Sequence, residues 1–298
     1  MNDEINLTST AKLVSFEAHS GNRNWTVKAR TWGDPEASHA CALLVHGLGA
    51  HSGWFEAFAR RLSAKGIFAM SYDQIGFGLR KDELFHSKNE WLDDLIASWG
   101  ELKSIAGGAK KPLYLIGNSM GAVVAYSCVE SVKPDAMILF SPGFDGHPVT
   151  FNIGYKLKAL AAAIFAPDSD VILPYSVDDI TPSQTVRDFL TADPQRRFAI
   201  SARMGLELLK LTLATKGGSK IAHCPVLMAT AGIEKIVDNN VSEKLFNELS
   251  APVKKRLKYA DSMHDLMFDP NLDEIVNEVC NWLASVTGSP TTEISTSK

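Results

Sequence analysis

Ser119 lies in Gly117-Asn118-Ser119-Met120-Gly121, a serine with a glycine two positions to either side. Ahead of it runs Leu113-Tyr114-Leu115-Ile116, apolar and strand-like. Behind it, Ala122-Val123-Val124-Ala125 suits a helix. In that context G-x-S-x-G describes a sharp strand-to-helix turn that lifts the hydroxyl clear of the backbone. The glycines let strand and helix approach closely. The helix N-terminus points free N–H groups at developing negative charge. A serine hydroxyl is a poor nucleophile near neutral pH, so it needs a base, and the base needs an acid to fix its tautomer.

Of the eight histidines, His264 has the right address. It follows the last expected strand and precedes the last expected helix, which puts it at the sheet edge that carries Ser119. His223 precedes a strand and belongs at the opposite edge, while His19 and His39 flank early strands. For the acid, Asp238 leads, because Ser119, Asp238 and His264 follow one another in the chain order of a G-x-S-x-G enzyme. Asp238 also fits the role of cap for the helix after it. Asp145, after the strand at Ala136–Phe140, is the reserve. Glu234 ranks lower, sitting close to its strand and followed by the apolar pair Lys235-flanked Ile236 and Val237. The oxyanion requires N–H donors. Met120 supplies one at the elbow, and Leu48, within His46-Gly47-Leu48-Gly49 after an early strand, supplies the other.

Elements that could hold these residues follow from periodicity. Lys12–Glu17 and Trp25–Thr31 alternate as two strands about Gly21-Asn22. Cys41–Val45, Ile67–Tyr72 and Ala136–Phe140 are continuous apolar runs, as expected of strands covered on both faces. Ser52–Lys65 and Asn89–Ile105 read as the helices between them. From Phe144 to about Ala222 the pattern is helical without a convincing strand, over Ile153–Phe165, Ser183–Leu190 and Arg196–Ala214. Strand and helix alternate again at Pro225–Thr230, Val241–Leu249, Val253–Tyr259 and Asp273–Val286. The expectation is an α/β fold with a mostly parallel central sheet, helices on both faces and an inserted helical cap. The core is 1–143 and 223–298, the cap 144–222, and the end from 288 a disordered tail.

The chain has 298 residues, 45% hydrophobic and 21% charged, with a formal net charge of −4. These values suit a globular domain, and without a long Lys/Arg run they exclude nucleic acid as an expected partner. Cys41, Cys128, Cys224 and Cys280 are scattered among apolar stretches, without metal-ligand spacing, and read as free thiols. No signal peptide or membrane span is expected, so the expected setting is cytoplasmic. The chemistry outlined needs no metal and no cofactor.

With these residues in place, the chain resembles the monoacylglycerol lipase/lysophospholipase branch of the α/β-hydrolase superfamily, over roughly Leu43 to Leu283. His46-Gly47-Leu48-Gly49-Ala50-His51-Ser52-Gly53 is similar to that family's HGxGxHSGR loop. Gly117–Gly121 stands where the family has GHSMG, Ile236-Val237-Asp238 where it has its acid loop, and Met263-His264-Asp265 where it has its histidine. Asp188-Phe189-Leu190-Thr191-Ala192-Asp193-Pro194 resembles a cap motif of that family. Asn118 departs from the family's histidine, and Ile75 and Phe77 from its arginine and histidine. The resemblance implies hydrolysis of a lipid-like acyl ester through an acyl-enzyme, under a helical cap. Gly47, His51, Asn118, Phe144, Ile164 and Tyr175 are expected to bind the substrate. The apolar cap residues would hold an acyl chain or touch a membrane. A general carboxylesterase, a C–C bond hydrolase and a silent ligand-binding protein are the alternatives on the same scaffold.

Overall fold

A computed structural model describes residues 7–107, 111–218 and 220–290. Most of the tail expected to be disordered, from 291 onward, lies outside these residues. Lys12–Ser20 (β1) and Arg23–Trp32 (β2) form the expected antiparallel hairpin, turning at Gly21 and Asn22. Ala40–Val45 (β3) leads through a short 3₁₀ turn, Ser52–Phe55, into Glu56–Ala64 (α1). Ile67–Tyr72 (β4), Lys88–Ile105 (α2), Leu113–Asn118 (β5), Met120–Val132 (α3) and Ala136–Phe140 (β6) continue the alternation.

The insert then holds Ile153–Phe165 (α4), Asp170–Ile172 (β7), Gln184–Ala192 (α5), Ala199–Ser201 (β8) and Ala202–Gly217 (α6). Val226–Ile233 (β9), Asn239–Glu248 (α7), Lys254–Met263 (β10) and Leu272–Thr287 (α8) complete the described chain. Among the described residues no helix is long and apolar enough to cross a membrane.

One sheet organises the core, in the order β1-β2-β4-β3-β5-β6-β9-β10. It is antiparallel at β1–β2–β4 and parallel elsewhere. The continuous apolar runs have the expected cause. In β3, Cys41, Leu43 and Val45 pack on the face covered by α2 and α3, while Ala40, Ala42 and Leu44 pack on the face covered by α1 and α8. Each strand residue is therefore buried whichever way it points, which removes the alternation of a one-sided sheet.

The insert contains a feature the periodicity does not reveal. β7 and β8 pair antiparallel, from Asp170 opposite Ser201 to Ile172 opposite Ala199. Strands of three residues are too short to establish a period of two, so β8 merges in the sequence with the helix after it. The helix expected over Arg196–Ala214 begins at Ala202, where the Ser201 side chain caps it by accepting the N–H of Met204.

Backbone proximity dictates the elbow. A Cβ at Gly121 would stand 2.0 Å from Val45 O, and one at Gly117 would stand 2.5 Å from Ala122 Cα. The first turn of α3 thus rests against the ends of β3 and β5 with no room for a side chain. Gly100, in α2, has nothing within 4 Å of the same probe position. Gly121→Ala is expected to destabilise the protein by about 3 kcal/mol, while Gly100→Ala is expected to be neutral or to stabilise by about 0.5–1 kcal/mol. Urea titrations of both variants check this, and equal midpoints would show that the approach at Gly121 carries no constraint.

Candidate active site

Ser119 sits between β5 and α3 with φ 55° and ψ −119°, a conformation that non-glycine residues avoid. Its surroundings hold it there. Its N–H donates to Phe140 O at 2.9 Å, and its carbonyl accepts the N–H of Ala122 and of Gly143, both at 3.0 Å. Local strain persists when neighbouring bonds over-determine it, as here.

His264 immediately follows β10 and is buried. Its Nε2 lies 3.1 Å from Ser119 Oγ. Ser141, also at positive φ (38°), donates its hydroxyl to His264 O at 2.7 Å and so fixes the backbone that carries the ring. The sequence offered no signal for this positioning serine beyond its place at the end of β6.

The carboxylate on the far side of His264 is Glu234. His264 Nδ1 is 2.9 Å from Glu234 Oε2 and 3.0 Å from Oε1. The amides of Ile236 and Val237 donate to Oε1 at 2.8 and 3.1 Å, so the following apolar pair anchors the carboxylate through its backbone. The expected partner, Asp238, stands elsewhere. It caps α7, accepting the N–H of Asn240 at 2.9 Å. The reason is strand length: β9 continues to Ile233, three residues past the Thr230 end expected from the apolar run, which brings Glu234 itself to the sheet edge. The reserve acid Asp145 also points away, toward Lys216 at 2.8 Å and Lys156 at 3.5 Å.

The electrostatics follow from this chain of contacts. Burial alone would lower the His264 pKa, but the charge and hydrogen bond of Glu234, with Asp265 adding, raise it above the ordinary histidine value. Burial opposes ionised Glu234, yet His264 and the two amides hold its pKa below the usual carboxylate value. Asp265, next in the chain, is pushed by burial up to about 6, against the opposing effects of His264, the Met267 amide and the Asn118 side chain. Asn118 is thus directed away from the ligand-accessible space and toward Asp265. Its Oδ1 is buried and has no hydrogen-bond partner.

Leu48 and Met120 line the same cleft as Ser119, and among the described residues neither backbone N–H donates to another group. Gly47 lets this loop approach: a Cβ there would lie 3.0 Å from Ser119 Cβ. Behind it, His46 is structural, its Nε2 accepting the N–H of Gln74 at 3.1 Å. The cleft has a cavity volume of about 220 Å³. Ala163, Leu173, Ile200, Leu206 and Val237 give it a mostly apolar wall.

Of the expected substrate-binding residues, Tyr175 lines this cleft and donates its hydroxyl to Leu48 O at 3.0 Å. Phe144 instead packs edge-on against Tyr126 in the core, and Ile164 points to solvent. Neither belongs to the lining: Phe144 is taken up by the core ahead of α4, and α4 presents Tyr155, Ala159 and Ala163 inward and Ile164 outward. His51 also lies behind the wall. Its Nε2 is 2.7 Å from Asp193 Oδ2, which accepts the Trp54 indole N–H at 2.9 Å as well. Burial opposes the charge on Asp193, yet these bonds bring its pKa down to about 2.

The seam between insert and core continues on either side of that pair. The amide of Arg197 donates to Gly49 O at 2.9 Å, and Arg30 donates to Gln195 Oε1 at 2.9 Å.

A doubly covered, mostly parallel sheet with a strained serine at a strand–helix elbow, facing a histidine and a carboxylate, defines an α/β-hydrolase. The chain belongs to the Hydrolase_4 family (serine aminopeptidase, S33), which matches residues 36–271. It is 28% identical over 203 residues to a monoglyceride lipase homolog of Monkeypox virus, covering 66% of this chain and 65% of that relative. It is 23% identical to phospholipase YtpA of Bacillus subtilis, over 84% of this chain and 95% of that one. Among solved structures, a soluble variant of monoglyceride lipase from Saccharomyces cerevisiae, in complex with a substrate analog, aligns with a TM-score of 0.83. That alignment has 19% identity and covers 98% of each chain.

Two substitutions separate the carboxylates. Glu234→Gln is expected to lower kcat by about four orders of magnitude, the scale seen when a buried triad acid is neutralised. Asp238→Asn should stay within about twofold, since asparagine caps a helix as well as aspartate. The base acts when neutral, so a raised His264 pKa places the acid limb of kcat/KM above pH 6.5, with activity falling as pH drops through it. In Glu234→Gln, burial acts without the opposing carboxylate, and the limb moves to lower pH. A pH–rate profile in which both variants keep the wild-type limb would contradict the geometry.

Proposed function

We propose that the protein is a serine hydrolase that cleaves carboxylic esters of lipid-like substrates, of monoacylglycerol or lysophospholipid type, through an acyl-enzyme. The supporting observation is the unbroken line from Glu234 through His264 to Ser119 Oγ, ending in an apolar cleft. In this reading Ser119 attacks the ester carbonyl while His264 takes its proton. Glu234 holds the imidazole in the required tautomer and stabilises the imidazolium. The N–H groups of Leu48 and Met120 receive the oxyanion, each contributing about 2.7–4 kcal/mol to the transition state. His264 then protonates the leaving alcohol, and water repeats the sequence on the acyl-enzyme.

Residues 144–222 act in this reading as a cap over the strand ends, supplying most of the cleft wall. Its outer side supports a further role. Ile153, Leu157, Ile164 and Phe165 of α4 are all exposed, a patch suited to peripheral contact with a membrane or micelle that delivers an insoluble ester. The setting that fits is cytoplasmic. The cysteines are unpaired, and burial pushes the Cys128 and Cys224 thiols up to about 12, which keeps them inert.

A fluorophosphonate probe should label wild-type protein and leave Ser119→Ala unlabelled. Labelling of the variant would remove Ser119 as nucleophile. Across p-nitrophenyl esters, kcat/KM should rise from short to medium and long acyl chains; a maximum at acetate would favour a general carboxylesterase. In flotation with phosphatidylcholine vesicles, Ile164→Asp with Phe165→Asp should reduce binding several-fold while leaving hydrolysis of a soluble ester in place.

A further inference from the structure

The polar groups of the cleft are unequally engaged. Three lining hydroxyls are already committed: Tyr155 donates to Ile172 O at 3.1 Å, Tyr175 to Leu48 O at 3.0 Å and Thr212 to Leu209 O at 2.9 Å. The lining charges are Asp145 and Lys156, with Lys216 beside them, one helical turn beyond Thr212 on α6. Asp145 needs one countercharge and has two. Lys216 Nζ donates to Oδ2 at 2.8 Å, Lys156 Nζ stands 3.5 Å from Oδ1, and the Gly146 amide donates to Oδ1 at 2.9 Å. Among the described residues neither lysine forms an ion pair with any other carboxylate. Two ammonium groups on one carboxylate leave a net positive charge in an otherwise apolar wall, with N–H donors to spare.

The position of this charge matters. Gly143 donates its N–H to Ser119 O at 3.0 Å, and Asp145 follows two residues later. Two residues of chain span at most about 7 Å, and Asp145 and Lys156 line the same cleft as Ser119. In an acylated glycerol, a phosphate on the distal hydroxyl stands about one glycerol length from the carbonyl that Ser119 would attack. A neutral glycerol would give the spare charge nothing to do, and a cationic headgroup would be repelled by it.

Resting on the esterase reading above, we propose that Lys156 and Lys216, held in place by Asp145, form an anion subsite on the alcohol side of the scissile ester, and that the favoured substrates are acylglycerols whose alcohol carries a phosphate. Lys156 is about half exposed, so its ammonium stays hydrated until a substrate phosphate displaces that water. Charge-assisted bonds of this kind are the stronger class of hydrogen bond.

The full chain is assayed on a 1-acylglycerol and on the 1-acylglycerol 3-phosphate with the same acyl chain, both below their critical micelle concentrations. A long-chain dicarboxylic half-ester, with its anion on the acyl side, is the third substrate. Lys156→Met is expected to lower the ratio of kcat/KM for the phosphate ester to that for the neutral ester about tenfold, equivalent to about 1.4 kcal/mol, mainly through KM. Lys156→Arg should preserve the ratio. Asp145→Asn, which leaves both lysines uncompensated, should raise it. A ratio unmoved by Lys156→Met and Asp145→Asn overturns the proposal, and so does a loss seen with the half-ester and not with the phosphate. Calorimetric binding of non-hydrolysable alkyl ethers of glycerol and glycerol 3-phosphate reads the same ratio without turnover. If wild type resists fluorophosphonate and hydrolyses none of the three, the esterase reading fails, while the ether affinities still decide the subsite.

Discussion

The approach of α3 to the ends of β3 and β5 is the constraint on which the site depends. Gly117 and Gly121 leave no space for a Cβ between helix and strands. With both ends of the turn pinned, Ser119 is forced into positive φ, and its side chain is directed out of the sheet edge. The same pinning explains why Gly143 can donate to Ser119 O and why the loop after β3 can bring Leu48 to the cleft. The strain at Ser119 is stored locally but opposed by hydrogen bonds from β6 and from the loop after it. That distribution is what keeps a high-energy conformer populated.

The His264–Glu234 pair is expensive to bury and adequately supported. A carboxylate removed from water loses several kcal/mol of hydration unless hydrogen bonds replace it. Glu234 receives the imidazole and the amides of Ile236 and Val237, so its acceptor sites are largely filled. Asp265 has fewer such partners and is correspondingly harder to ionise. Two carboxylates near one imidazole thus differ in how readily they ionise because their hydrogen bonds differ.

Much of this was legible in the sequence. Apolar runs such as Cys41–Val45 and Ala136–Phe140 mark doubly covered strands because nothing polar fits either face. The elbow and His264 follow from their places after strands. What was hidden depended on where one strand stops. Ala231, Gly232 and Ile233 extend β9 without a distinctive pattern, so Glu234 looked too close to the strand and Asp238 looked well placed. Chain order alone cannot tell a carboxylate that meets the histidine from one that caps the next helix. The inward face of α4 was obscure for a related reason. A helix lining a cleft on one side and facing solvent on the other carries apolar residues on both, so Ile164 and Ala163 look alike until packing separates them.

The bonds joining Asp193, Gln195 and Arg197 to His51, Trp54, Arg30 and Gly49 have a mechanical meaning. They stitch one margin of the insert to β2 and to the loop and turn that also carry Leu48. The segment leading into α4 is tied to the core as well, His147 N–H donating to Ile236 O and Asp145 O accepting the N–H of Asp238, both at 2.9 Å, while α4 itself packs chiefly against α6 within the insert. The cover is therefore fastened at both margins, and α4 is the part of it held mainly by the cover's own residues. The wall at α4 and the loop beside Ser119 thus answer to different anchors, so that the shape of the cleft and the donor geometry at the serine are set independently.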